Sequence, residues 1–122
     1  MSTQAPPPVE EADAAALSNA LEQAATVSFQ LGEVSITHGA RDEFEKLGIN
    51  PRAFLRRHMR GDWGDVCDDD RQANEDALKT GARIFSVYKD ERLEDGRFWI
   101  ITDGDDEAGV RHATTILLPS EY

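Results

Sequence analysis

Hydrophobic and polar positions along the chain change period twice, and each change predicts an element. Val27, Phe29 and Leu31 alternate with polar neighbours. After Gly32-Glu33, Val34, Ile36 and His38 alternate again, which predicts a hairpin or a bent strand ended by Gly39. The period then becomes helical. Arg41 to Leu47 reads as a short helix with Phe44 and Leu47 inward, closed by Gly48. Asn50-Pro51 is a helix start, with Phe54, Leu55 and His58 on one side and Arg52, Arg56 and Arg60 on another. Asp68-Asp69-Asp70 opens a third helix that ends at Thr80-Gly81 and turns Ala73, Ala77 and Leu78 inward. From Arg83 the period is two: Ile84/Ser86/Tyr88 against Phe85/Val87, then the run Phe98-Trp99-Ile100-Ile101-Thr102, then Thr114/Ile116/Leu118 against Ala113/Thr115/Leu117. Asp95-Gly96 and Asp103-Gly104 are turn material, and Pro119 stops the last strand.

The sum is an α+β domain over residues 27–122: short N-terminal strand(s) and three helices followed by an antiparallel three-stranded meander. Residues 1–26 read as a flexible N-terminal arm. Pro6-Pro7-Pro8 favours extended backbone. Ala12 to Ala25 carries only the thin stripe Leu17/Leu21, a marginal helix. Between the second and third helices stands Gly61-Asp62-Trp63-Gly64-Asp65. Two glycines around a large ring in so polar a stretch predict a fixed turn held by Gly61 and Gly64, with Trp63 plugged inward. Trp63 and Trp99 are expected to be largely buried.

Composition narrows the function classes. The 24 acidic residues against 13 basic ones give a formal net charge of −11, a field that repels phosphate backbones and anionic headgroups. No direct DNA binding is expected. No run approaches the roughly 20 apolar residues of a membrane span, and the N-terminus lacks a secretory pattern. Cys67 is the single cysteine, so no internal disulfide and no cysteine zinc cage can form. A reducing cytoplasm is the expected compartment.

The segments Arg57-His58, Gly61-Asp62-Trp63-Gly64-Asp65, Gly81-Ala82-Arg83-Ile84, Trp99-Ile100-Ile101-Thr102 and Thr114-Thr115-Ile116-Leu117-Leu118-Pro119 with Glu121-Tyr122 carry a resemblance. From about Phe29 to the C-terminus the chain resembles a family of small proteins borne on bacterial plasmids, phages and integrative elements. The resemblance implies a mobile-element accessory role and transfers no catalytic residue. The loop Asp103 to Gly109 and the N-terminal arm depart from the family pattern.

Four chemistries are readable in the residues. The first is metal-independent RNA cleavage, which needs a base, an acid and a cation for the phosphorane. His58, His112, Thr114 and Arg111 are its candidates, with His112 and Thr114 on one strand face. Against it, His58 suits a helix end, Thr114 is an ordinary β-former, and the net charge repels the substrate. The second is a cation site. Counting a calcium loop from Asp103 puts Ala108 and Thr114 where glycine and a bidentate glutamate are needed, so no metal or cofactor is expected. The third is Cys67 as a nucleophile, opposed by its carboxylate neighbours.

The fourth is an acidic protein-binding surface. Asp62, Asp65, Asp68, Asp69 and Asp70 form one cluster, and Asp105, Asp106 and Glu107 lie in a hairpin loop, as do Asp90 to Asp95 in another. If these line one side, their carboxylates imitate phosphates and suit a basic groove. The plain alternative is solubility. This reading gives an accessory protein, a possible nucleic-acid mimic or inhibitor of a defence or nucleic-acid-binding component. Its partner is a host or element-encoded protein with a basic surface. Self-association through the last strand as an open edge is a third reading. Arg52, Arg56, Arg57 and Arg60 are expected to pair internally with the nearby aspartates.

Overall fold

The computed structural model describes residues 28–122, so the arm reading of residues 1–26 and the position of Val27 lie outside the described residues. Within them the elements are β1 (Glu33–Ile36), α1 (His38–Leu47), α2 (Arg52–Met59), α3 (Asp68–Thr80), β2 (Ile84–Lys89), β3 (Arg97–Thr102), β4 (Ala113–Leu117) and a 3₁₀ turn (Pro119–Glu121). The class is α+β. The sheet, however, is four-stranded and mixed, in the order β1-β4-β3-β2, and not a three-stranded meander. β2, β3 and β4 pair antiparallel in sequence, while β1 joins β4 in parallel with Val34 beside Thr114 and Ile36 beside Ile116. β4 is therefore an inner strand, which removes the open edge proposed for self-association.

The first alternating stretch is only half strand. Phe29 and Leu31 are buried and Gln30 is exposed, but the segment crosses over the core instead of pairing. Its Ser28 amide donates to Met59 O at 2.7 Å. Gly32, with φ of 65°, then turns against the backbone of Arg111 and His112. The alternation reported burial, and burial by period two does not require a ladder partner.

Strand alternation aims Tyr88, Phe98, Ile100 and Ile116 at one face. α1 and α2 cover that face through Phe44 on Phe98 and Phe54 on Phe98, each at 4.9 Å, and Phe54 on Tyr88 at 5.3 Å. The opposite face carries Phe85, Val87, Trp99, Ile101 and Leu117. There Trp99 is half-buried, not largely buried, between Phe85 at 5.1 Å and the exposed C-terminal Tyr122 at 5.3 Å.

The β2 edge is closed from two sides. The turn Trp63–Asp65 runs beside it, with Val87 N donating to Trp63 O and Asp65 N to Val87 O. Gly64 sits at φ of 73°, and a Cβ there would lie 2.0 Å from Val87 O, so glycine is the residue that fits. The next step of the edge is closed by a side chain. Asn74 of α3 accepts from Phe85 N at 3.0 Å and donates to Phe85 O at 2.7 Å. Asn74 and Ala77, with Leu78 half-buried, thus form the inward side of α3, and Ala73 is exposed. Helix α1 begins at His38, earlier than its apolar pattern, because Thr37 caps it and Glu121 from the C-terminal turn accepts from Thr37 Oγ1 and, at 3.0 Å, from Gly39 N. Gly39 therefore lies inside the first turn and ends no strand.

Candidate functional site

Three strands place a small hydroxyl on the helix-covered face: Ser86 on β2, Thr102 on β3 and Thr114 on β4. α2 inserts His58, fully buried, among them. Nδ1 of His58 lies 2.6 Å from Ser86 Oγ, and Nε2 lies 2.8 Å from Thr102 Oγ1. Thr102 Oγ1 lies 2.7 Å from Thr114 Oγ1, which donates to Leu31 O at 2.7 Å. Each hydroxyl has one proton, so the directions follow. Thr114 gives its proton to Leu31, so Thr102 donates to Thr114. Nε2–H of His58 then donates to Thr102, and Nδ1 accepts from Ser86. Burial, reinforced by the charge of Arg111, pushes the His58 pKa down to about 3. The imidazole is neutral, both nitrogens are engaged, and no solvent reaches it.

Arg111, read from sequence as a cation for a phosphorane, is mostly buried and spoken for. It donates to Ala82 O, Asp103 O and Ala77 O at 2.7–3.0 Å, tying the last turn of α3 to the β3–β4 loop, and lies 5.7 Å over the Phe29 ring. Phe29 in turn packs on His58 at 5.1 Å and on Trp63 at 6.1 Å. Trp63 is 1% exposed, with its indole N–H on Glu75 at 2.9 Å.

His112 sits elsewhere. It precedes β4, is exposed, and meets Asp106 at 2.6 Å in the β3–β4 loop. Amides of Val110 and Ala108, with His112, hold the Asp106 carboxyl below its ordinary range; Val110 contributes most. Of the four residues proposed for RNA cleavage, the structure joins His58 and Thr114 in one interior chain and leaves His112 on the surface. It assembles no pair of imidazoles for a phosphodiester.

The acidic residues divide likewise. The Asp65–Lys89 ion pair at 3.1 Å sets the start of α3 beside the β2–β3 hairpin, so Asp62, Asp65 and Asp68–Asp70 share an end with Asp90–Asp95. At the other end of α3, Asp105 N donates to Gly81 O at 2.7 Å, carrying Asp106 and Glu107 with it. A helix of 13 residues separates the two groups, about 20 Å at 1.5 Å per residue. The eight carboxylates do not form one surface. Within the first group, Asp62 is held by Arg57 at 2.7 Å, which keeps its carboxyl below the usual range, and Asp65 by Lys89. Asp68, Asp69 and Asp70 are exposed, and among the described residues no ion pair engages them. Beside them Arg57, Asp62, Asp65, Tyr88 and Lys89 line an open groove of about 280 Å³, whose two cations are matched by its two carboxylates.

The expected internal pairing of the basic face holds for Arg57 alone. Arg52, Arg56 and Arg60 have no ion pair with a described residue, although the charge of Arg60 helps, after Arg57, to hold the Asp62 carboxyl down. Cys67 is an exposed free thiol directly before α3. Among the described residues no three His, Cys, Asp or Glu side chains converge as a metal would require, and no helix is long and apolar enough to cross a membrane.

Sequence reasoning missed Asn74, Ser86, Thr102 and Glu121. Ser86 and Thr102 carried a usable signal, each being a polar residue at an inward-facing position of an apolar strand pattern. Comparison of the chain with protein-family models, with curated proteins and with solved structures gave no match.

Proposed function

We propose that this protein is a cytoplasmic accessory protein of a mobile element that acts by binding, its ligand being the basic surface of a host or element-encoded protein. The binding end is the start of α3. Asp68, Asp69 and Asp70 project into solvent there without cationic partners among the described residues, and that is the observation that carries the reading. Three carboxylates on one helical turn, next to the acidic β2–β3 hairpin, present closely spaced negative charge on a rigid element, the character of a phosphate backbone. The aspartates also complement the helix dipole, so the free protein holds them without strain. The net charge of −11 speeds encounter with a basic partner and disfavours nucleic acid as the ligand. The resemblance to small proteins of plasmids and phages supports the mobile-element setting.

Capture of host proteins on the immobilised full chain at about 50 mM salt, repeated at about 500 mM, tests the electrostatics. The same capture on Asp68→Asn/Asp69→Asn/Asp70→Asn locates the surface. A basic protein retained at low salt by the native chain and lost by the variant is expected. Identical retention by both chains removes α3 from the mechanism.

A further inference from the structure

The sheet face turned away from α1 and α2 carries a row of rings. Phe85 on β2 packs on Trp99 of β3 at 5.1 Å, and Trp99 packs on Tyr122 at 5.3 Å. Phe85 and Trp99 are half-buried, and Tyr122 is 71% exposed. Arg83 donates to the Tyr122 hydroxyl at 2.9 Å, so the phenol is held in place by a side chain from the far edge of the sheet. Contiguous rings on one face, the outermost mostly in water, mark a contact surface.

The charges on this face tell what fits it. Arg83 continues the outward alternation of Phe85 and Val87 at the β2 edge. Glu33 and Ser35 face the same way from β1, at the opposite edge, because Val34 and Ile36 pack on the core. Arg83 and Glu33 stand level, each one residue before the row Ile84, Thr102, Thr114 and Val34 that the strand register aligns. Three strand spacings, about 14 Å, lie between them. They do not meet within one chain, and among the described residues no ion pair engages either. One edge of the ring-bearing face is thus cationic and the other anionic, at the same height. A two-fold axis parallel to the strands and midway between β3 and β4 exchanges β2 with β1 and β3 with β4. It lays Arg83 of one copy opposite Glu33 of the other, twice, and Trp99 opposite Leu117, its level neighbour in the register.

We propose that this face pairs with the same face of a second copy, as a two-fold sheet-on-sheet dimer closed by Tyr122 and Trp99 at its centre and by Arg83–Glu33 at its flanks. Aligned sheets cross at about 30°, an offset that a long arginine side chain spans. Four strands of about six residues give a face of only about 20 by 20 Å, below the roughly 800 Å² per partner of a stable complex. The net charge of −11 on each copy adds repulsion. The dimer is therefore weak, half-formed at about 100 µM. It does not depend on the acidic-surface reading.

Sedimentation velocity of the full chain at about 150 mM salt, from about 5 to 500 µM, decides it. The native chain is expected to shift from monomer to dimer across that range. Tyr122→Ser removes a side chain that lies mostly in solvent, so the fold persists, and the shift is lost. Arg83→Glu and Glu33→Arg each weaken association at least about tenfold, and Arg83→Glu/Glu33→Arg together restore it. Circular dichroism checks that each variant is folded; if the charge variants are not, Tyr122→Ser still decides. Three results each overturn the proposal: a monomer mass throughout for the native chain, which includes the case of residues 1–27 covering the face, a dimer undiminished by Tyr122→Ser, and a folded double charge variant that fails to associate.

Discussion

The interior chain through His58 and the solvent-facing start of α3 use the same raw material, polar groups that water would hold well, and partner it in opposite ways. Inside, Ser86, His58, Thr102, Thr114 and Leu31 O form an unbroken series in which every proton has an acceptor. On α3, Asp68, Asp69 and Asp70 meet solvent without a described cation. The first arrangement fixes one packing of helix on sheet, because any register slip strands a buried hydrogen-bonding group. The second contributes little to holding the fold and leaves charge available to another molecule. A titratable residue in a small protein therefore says nothing about chemistry until its partners are known: His58, the likeliest-looking catalyst by type, is structural.

The strongest way to break the comparison is to remove what shields the interior chain. Trp63→Ala deletes a fully packed indole against Phe29 and His58, and about 3–5 kcal/mol of stability should disappear in urea unfolding. Next comes acid. The folded pKa of His58, about 3, lies below the ordinary 6.5, so the unfolded chain binds a proton that the folded chain refuses. Its contribution to stability is intact above pH 6.5 and declines toward pH 3, at about 1.4 kcal/mol per pH unit. Carboxylates add their own loss only near and below pH 4, so the interval from about 6.5 to 5 reports the imidazole. His58→Gln should flatten the slope there, whatever its level of stability; an unchanged slope would place the acid sensitivity elsewhere.

Asn74→Ala opens the β2 edge by removing both bonds to Phe85 and should cost about 1–3 kcal/mol by the same measurement. The smallest effect sharpens the contrast. Asp68→Asn/Asp69→Asn/Asp70→Asn should change stability by no more than about 1 kcal/mol, the loss of a favourable dipole term, while abolishing salt-sensitive capture of a basic protein. A large destabilisation would make the aspartates structural after all.

Much of this contrast was legible residue by residue. His58 stood on the Phe54–Leu55 side of its helix, and Ser86 and Thr114 stood among inward positions of their strands, so their burial was written in the alternation. That the two hairpin loops sit at opposite ends was also implicit, since successive turns of an antiparallel meander must alternate ends. The loops could not have lined one side. Asn74 was harder to foresee: an amide on a helix reads as solvent-facing until a strand edge needs its donor and acceptor.

The amino-acid order alone determined the class, the three helices among the described residues and the three consecutive strands, because those depend on local period, caps and turn residues. Tertiary structure decided the parallel seat of β1 beside β4, the closed β2 edge, the pairing of Arg57 but not Arg52 with an aspartate, and the separation of His58 from His112. Most of those rest on contacts between residues distant in sequence, although Arg57 and Asp62 are only five apart. Short-range pattern specifies which side of an element faces inward, and only packing specifies what it meets there.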